Sequence, residues 1–359
     1  MPSKKIVLIG TGWRSEFFLR IAQQLPERFS ICGVYTRSEE KKQQVMLRFG
    51  IPAFTDYEKI QECHPDYVIL CVKRGCFLPH LKQLFCWKIP VLCEVPPAET
   101  LEDLNHIYQM AVNNRAKIQF VEQYPFWPLY SSWLRVIEAG AIGEVQSVSL
   151  SALHGYHAAG IARKLLQTKH QGFEVWGSRT QQQVITTKDR SGDVLTGQLE
   201  TYNRDRLTVR FEAGKQLFYD FSFPQYRSYL RSRHLLVTGT MGEIDDFTLR
   251  CLDKGYQPVQ LELQRLDHGK FDNNFLGLRS LHLGKYALYT NPFGHARLND
   301  DELATAACMQ AMENYLDNGV SFYPIQEALQ DAYLSLMMTK ALETGQKCIG
   351  KQQEWNRGE

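Results

Sequence analysis

Short apolar runs alternate with amphipathic stretches through the first third of the chain. Lys5-Ile6-Val7-Leu8-Ile9 reads as a buried strand, and Glu16 to Leu25 as a helix with Phe17, Phe18, Ile21 and Leu25 near helical spacing. The pair then repeats. Phe29 to Tyr35 is a second strand, and Glu39 to Phe49 a second helix closed by Gly50. Tyr67 to Val72 is apolar at every position, as expected of a strand covered on both faces. Leu78 to Trp87 reads as helix, Val91 to Glu94 as strand, Leu101 to Asn113 as helix and Lys117 to Val121 as strand. Repeated β-α units predict a doubly wound parallel sheet.

The rhythm changes after Tyr130. A helix over Ser132 to Ala139 ends at Gly140, and longer alternating strands follow: Val145 to Ala152, Val194 to Asn203, Leu207 to Phe211, Gln216 to Phe223 and His234 to Thr240. Val259 to Leu263 alternates cleanly, which predicts one wet face. Two helices close the chain, Asp301 to Leu316 and Pro324 to Thr344. The pattern predicts an α/β domain over residues 1–125 and an α+β domain over 126–359 with a mostly antiparallel open sheet.

Composition narrows the class. The 359 residues carry 41 basic and 39 acidic side chains, a formal net charge of +2, which argues against a dedicated nucleic-acid binder. Nine cysteines, an odd number without a Cys-x-x-Cys pair, sit partly inside apolar runs and read as reduced thiols. No run approaches the roughly eighteen apolar residues of a membrane span, and Ile6 to Ile9 is too short for a signal segment. The expected setting is soluble and cytoplasmic.

The first chemical signal is Gly10-Thr11-Gly12, directly after the first strand and at the mouth of the first helix. Glycine permits the tight turn there and lets backbone N–H groups approach a pyrophosphate. Ser15 stands at the third position of the usual G-x-G-x-x-G and is small enough for close packing; Trp13 and Arg14 complete the turn. A NAD site usually ends the second strand with Asp or Glu for the ribose hydroxyls. This chain has Thr36, Arg37 and Ser38, a cation and two hydroxyls suited to a 2′-phosphate, so NADP is favoured over NAD. Val72, Glu94 and Gln123 at later strand ends are further cofactor candidates. Lys73 and Arg74 follow the third strand, where phosphate ligands and ordinary surface cations are equally common.

Taken together, Val7 to Gly12, Val91 to Ala98, Glu138 to Val145, Gly239 to Ile244 and the closing helix from Pro324 resemble the Gfo/Idh/MocA oxidoreductases, the glucose-fructose oxidoreductase and inositol dehydrogenase family. The resemblance spans almost the whole chain. It implies NAD(P)-dependent hydride transfer on a sugar or polyol, a small-molecule substrate and a homo-oligomer, dimer or tetramer. Two departures stand out. The family's Glu-Lys-Pro is Glu94-Val95-Pro96 here, and valine can neither donate nor carry charge. In Leu153-His154-Gly155-Tyr156-His157, His157 matches the family histidine while Leu153 replaces an expected aspartate.

A histidine titrating near neutrality suits the proton that accompanies a hydride. His157 is therefore the first candidate acid/base, with Tyr156 or His154 as orienting or substitute donor. Read without the resemblance, His157 is a hydrogen-bonded structural residue at a helix start. His154 and His157 have a metal-like spacing, but no neighbouring Glu or Cys completes a site, so none is expected. His80 reads as a packing residue of its helix. Tyr226 to Arg231 is a polar, cationic stretch between strands, read as a solvated loop that can also face a substrate or a neighbouring subunit. Two rival functions remain open: reduction of an imine or conjugated double bond, and non-catalytic dinucleotide binding.

Overall fold

The computed structural model describes residues 3–269, 277–294 and 296–356. Two compact units emerge. The first comprises Met1–Pro128, Arg265–Ser280 and Thr290–Ala332; the second comprises Leu129–Gln264, Leu281–Tyr289 and Tyr333–Glu359. The chain thus returns to its first unit late.

The first unit is built on β1 (Lys4–Ile9), α1 (Ser15–Gln24), β2 (Phe29–Tyr35), α2 (Glu39–Phe49), β3 (Ala53–Phe54), α3 (Lys59–Glu62), β4 (Tyr67–Leu70), α4 (Phe77–Cys86), β5 (Val91–Cys93), α5 (Leu101–Asn114) and β6 (Ile118–Phe120). The strands pair in parallel in the order β3-β2-β1-β4-β5-β6. This is the doubly wound order, and the reversal between β1 and β4 opens a crevice at the carboxyl ends of the strands. Ile6 to Ile9 and Tyr67 to Leu70 have no exposed surface, which is why their sequences lack alternation. Each such aliphatic side chain contributes about 2 kcal/mol on burial. Ser38 and Thr100 cap α2 and α5, and Gly50 ends α2 at φ 66°, a left-handed position that glycine occupies without strain.

After α6 (Pro128–Glu138) come β7 (Val145–Ser151), α7 (Gly155–Leu166), β8 (Phe173–Ile185), β9 (Leu199–Phe211), β10 (Gln216–Ser222), β11 (His234–Gly239), β12 (Gly242–Asp245), β13 (Thr248–Leu252), β14 (Pro258–His268), β15 (Gly277–Leu283) and β16 (Tyr286–Thr290). Then follow α8 (Asp300–Asn318), α9 (Ile325–Thr344) and β17 (Cys348–Gly350). Among the described residues the second sheet has eleven strands, ordered β16-β15-β14-β13-β12-β11-β7-β10-β9-β8-β17. β7 and β10 run parallel, while β8, β9, β11, β12 and β13 pair antiparallel with their neighbours.

Two readings of the sequence need correction. Phe173–Ile185 is a thirteen-residue strand that the pattern did not reveal, because Ser178 to Gln183 is polar on both faces. Its partner β9 is continuous where two strands are predicted, and it begins at Leu199, not Val194. His154 is the N-cap of α7, and Tyr156 and His157 lie in its first turn.

Candidate functional site

In the first unit the candidate residues meet at the carboxyl ends of the parallel strands. Gly10 leaves β1 at φ 116°, and its N–H donates to the Tyr35 carbonyl at 3.0 Å. A Cβ at Gly10 would lie 2.0 Å from the Cys71 carbonyl oxygen, so no other residue fits without moving the backbone of the loop after β4. Gly12 faces the other way: a Cβ there would meet nothing within 4 Å. Ser15, fully buried, donates to the same Cys71 carbonyl at 3.3 Å, which fits a small residue at the third position of the turn.

Arg14, read as a cofactor candidate, is committed to the protein. Its Nε donates to Glu94 at 2.7 Å and its Nη2 to Thr305 at 3.1 Å, and its Nη1 lies 3.5 Å from Asp301. The guanidinium also stacks 4.7 Å from the Phe17 ring centroid. Burial alone would lower its pKa, but Glu94 and Asp301 more than offset this and hold it above the usual arginine range. Glu94 is equally spoken for, since its second oxygen accepts from the Val95 N–H at 3.2 Å. Asp301 and Thr305 come from α8, nearly three hundred positions along the chain, and nothing in the sequence links them to the turn.

At the end of β2, Thr36 is buried and its hydroxyl lies 3.3 Å from that of Thr11. The Ser38 hydroxyl accepts from the Lys41 N–H as the cap of α2. Arg37 is exposed, with no carboxylate partner among the described residues. Beside it is a pair that the sequence did not reveal: the Tyr57 hydroxyl bonds His80 Nδ1 at 2.9 Å, with Tyr35 packed edge-on to Tyr57. Burial, and then Arg37, push the His80 pKa down. His80 is thus a packed residue, as its helix position implies.

Val72 is half-buried just beyond β4, and Trp13 is 45% exposed with its ring against Phe17. Gln123, beyond β6, is buried; its Nε2 reaches Asp301 at 3.4 Å while its Oε1 has no hydrogen-bond partner among the described residues. An orphaned buried carbonyl oxygen asks for a donor. A nicotinamide carboxamide is one, and the open face of Gly12 at the start of α1, whose N-cap offers no side-chain bond, suits phosphate. The residues present therefore fit a dinucleotide.

The second cluster lies wholly in the second unit. The Tyr226 hydroxyl accepts from the His154 backbone N–H at 2.9 Å and bonds His154 Nδ1 at 2.6 Å. The Tyr219 hydroxyl accepts from the Gly155 N–H at 3.2 Å, and burial pushes its pKa well up. Two tyrosines from the β10 region therefore serve the first N–H groups of α7 in place of a capping side chain. The His154 and His157 rings meet edge to face at 5.0 Å, and Tyr156 lies 5.8 Å from His157 with its own side chain buried. The three predicted groups are thus together. Leu153 is fully buried. A recess of about 440 Å³ opens beside His154, with Arg179, Thr201, Asn203 and Asp205 on its polar wall. Among the described residues no three His, Cys, Asp or Glu side chains are placed to hold a metal, and no helix is long and apolar enough to cross a membrane.

Residues 4–123 match the model of the Gfo/Idh/MocA oxidoreductase family, NAD-binding Rossmann fold. No curated protein sequence matches the chain. Solved structures share its fold at low identity. An oxidoreductase from Agrobacterium radiobacter, in complex with NAD+, L-tartaric acid and magnesium, is 15% identical with a TM-score of 0.70 over 96% of this chain and 98% of its own. The apo scyllo-inositol dehydrogenase of Lactobacillus casei is 14% identical, TM-score 0.67, covering 97% and 98%. An aldose-aldose oxidoreductase from Caulobacter crescentus, complexed with glycerol, is 14% identical, TM-score 0.64, covering 96% and 99%.

Proposed function

From a Rossmann module of the Gfo/Idh/MocA family over residues 4–123, we propose that the protein is an NAD(P)-dependent oxidoreductase acting on a carbohydrate-like or polyol substrate in the cytoplasm. The observation that carries this reading is the Gly10–Gly12 turn. Its first glycine has no room for a side chain and its second faces open space at the start of α1. The fold neighbours that act on inositols and aldoses support the substrate class, as does the polar recess beside His154.

A bound nicotinamide would supply hydride chemistry, which the protein's own residues would align while managing the proton. Gly12 admits the phosphates to the helix N-terminus, and the Gln123 carbonyl oxygen orients the carboxamide. Arg37, which has no carboxylate partner among the described residues, would take the 2′-phosphate of NADP. His157 transfers the substrate proton, and His154, held by Tyr226, orients or replaces it. A homo-oligomer, dimer or tetramer, is part of the same reading.

The departure at Val95 favours a second reading, reduction of an imine or conjugated double bond. With valine there the family's lysine is missing, and Arg14, the cation beside Glu94, is already ion-paired with Glu94 and Asp301, which leaves it poorly placed to stabilise an alkoxide. Titration with NADPH and NADH, read by nicotinamide fluorescence, tests the cofactor site. The expected result is tighter NADPH binding that Arg37→Gln reduces by about tenfold without affecting NADH. Binding of neither nucleotide would end the catalytic reading. A turnover screen of polyols against cyclic imines then separates the two substrate classes.

A further inference from the structure

The long β8–β9 hairpin ends in a connection, residues 186–198, that folds back beside the segment following β10. The Tyr229 N–H donates to the Thr187 hydroxyl at 3.0 Å, the Tyr229 hydroxyl to Asp193 at 2.8 Å, and the Leu230 N–H to the Ser228 hydroxyl at 3.0 Å. Within the connection, Val194 N–H meets the Thr187 carbonyl at 3.0 Å and Asp189 N–H the Gly192 carbonyl at 2.9 Å. These bonds fix the walls of a cavity of about 660 Å³.

The charges on those walls are unevenly matched. The acids are satisfied by neutral donors. Asp189 accepts from the Ser191 hydroxyl and N–H and from the Gly192 N–H, and Glu200 accepts from the Tyr202 hydroxyl; these bonds hold both carboxyls below their ordinary range. The cations Arg227 and Lys188 are not so matched. Arg227 is half-buried, its guanidinium 5.8 Å from the Phe223 ring, and among the described residues no carbonyl or carboxylate lies within hydrogen-bonding distance of it. Burial, and then repulsion from Arg190, push its pKa down; Tyr226 opposes this, Arg233 adds to the fall and Asp189 opposes it. The Lys188 ammonium sits 5.6 Å from the Tyr229 ring centroid and has no carboxylate partner among the described residues. A half-buried guanidinium with no acceptor is a cost that folding does not recover unless something else supplies one.

We propose that this cavity is a binding site for a small phosphomonoester, whose phosphate is taken by Arg227 and Lys188 and whose organic body fills the space beside Phe223. A guanidinium fork, an ammonium and neighbouring hydroxyls match a tetrahedral dianion better than a monocarboxylate, which carries one charge against two cations. The cavity is of the size that holds a metabolite, not a bare ion. All its residues belong to the second unit, so the site stands apart from the dinucleotide reading.

The test is calorimetric titration of the whole protein with hexose 6-phosphate, the unphosphorylated hexose and inorganic phosphate. The sugar phosphate should bind at least about tenfold more tightly than either, and Arg227→Gln should remove that advantage while leaving the unfolding midpoint and NADPH affinity unchanged. Lys188→Gln, at an exposed position, should weaken binding in the same direction and serves if the first variant fails to fold. Bound sugar phosphate that is also oxidised or reduced assigns the phosphate to the substrate; binding without turnover assigns it to a separate effector, and either supports the site. Equal affinity for hexose and its phosphate, or unchanged binding in both variants, would overturn it.

Discussion

The two candidate clusters are made of different material. The turn after β1 is a backbone site: Gly10 is pressed against the Cys71 carbonyl, Gly12 faces open space, and the side chain between them and the helix, Arg14, is turned into an ion-paired support. The start of α7 is a side-chain site. His154, Tyr156 and His157 gather there because Tyr219 and Tyr226 reach over from the β10 region to bind the helix end. A backbone site tolerates almost no change at its tightest point and is indifferent to its neighbours. A side-chain site degrades by steps as partners are removed.

The largest contrast should therefore come from the two glycines. Gly10→Ala must move the Cys71 carbonyl and hold alanine at a positive φ, so we expect a loss of about 2–4 kcal/mol of stability and no measurable NADPH binding. Gly12→Ala should unfold within a few degrees of the parent and lose affinity only, because its methyl meets ligand and not protein. Thermal unfolding beside fluorescence titration reads both. A Gly10→Ala protein of normal stability and affinity would show that the turn is not built as described.

His157→Ala should lower turnover by about 10²–10⁴-fold with little change in NADPH affinity, the range for loss of a general acid or base. Equal turnover in the variant would return His157 to a purely structural role. Tyr226→Phe should act more mildly, about tenfold, by removing the hydroxyl bonded to both His154 Nδ1 and its N–H. Its distinguishing mark is a shifted pH profile together with a changed His154 ring signal in ¹⁵N NMR. A fall in stability with the profile unmoved would make Tyr226 a helix cap and nothing more.

The contrast also explains what was legible. The parallel sheet announces itself because its central strands are covered on both faces, and Tyr67 to Leu70 shows this as an unbroken apolar run. The glycine turn is legible because a backbone requirement writes itself locally, in residue type and position. The long hairpin was not legible: Arg179 pairs with Asp205, and Arg204 with Asp220, so charged partners stabilise polar faces that carry no alternation. Nor were the supports of the candidate site. Asp301 lies 287 positions from Arg14, and Tyr226 lies 72 from His154. Such pairs exist only once the fold has formed, and no local pattern encodes them.

The smallest predicted effect sits at the opposite end of the first sheet, and it separates stability from binding. Among the described residues, Glu313 on α8 has a buried oxygen without a partner, and Tyr67, also buried, has a hydroxyl in the same state. Lys4, at the start of β1, gives its ammonium to Asp317 at 2.6 Å. Burial, with Asp317 and Asp66 adding to it and Lys4 opposing, pushes the Glu313 carboxyl up to about 7 from an ordinary 4.5. Below 4.5 both the folded and the unfolded chain hold this proton. Between 4.5 and 7 the folded chain keeps it and the unfolded chain does not, so stability falls as pH rises through that window. Above 7 the ionised group remains as a standing penalty, about 1 kcal/mol once solvent screening of this part-exposed side chain is allowed for. Glu313→Gln, which imitates the protonated form, should match the parent near pH 4.5 and exceed it by that amount at pH 8, with NADPH affinity unchanged throughout. A variant less stable than the parent at pH 8 would mean that the carboxylate is held by charge and not penalised by burial.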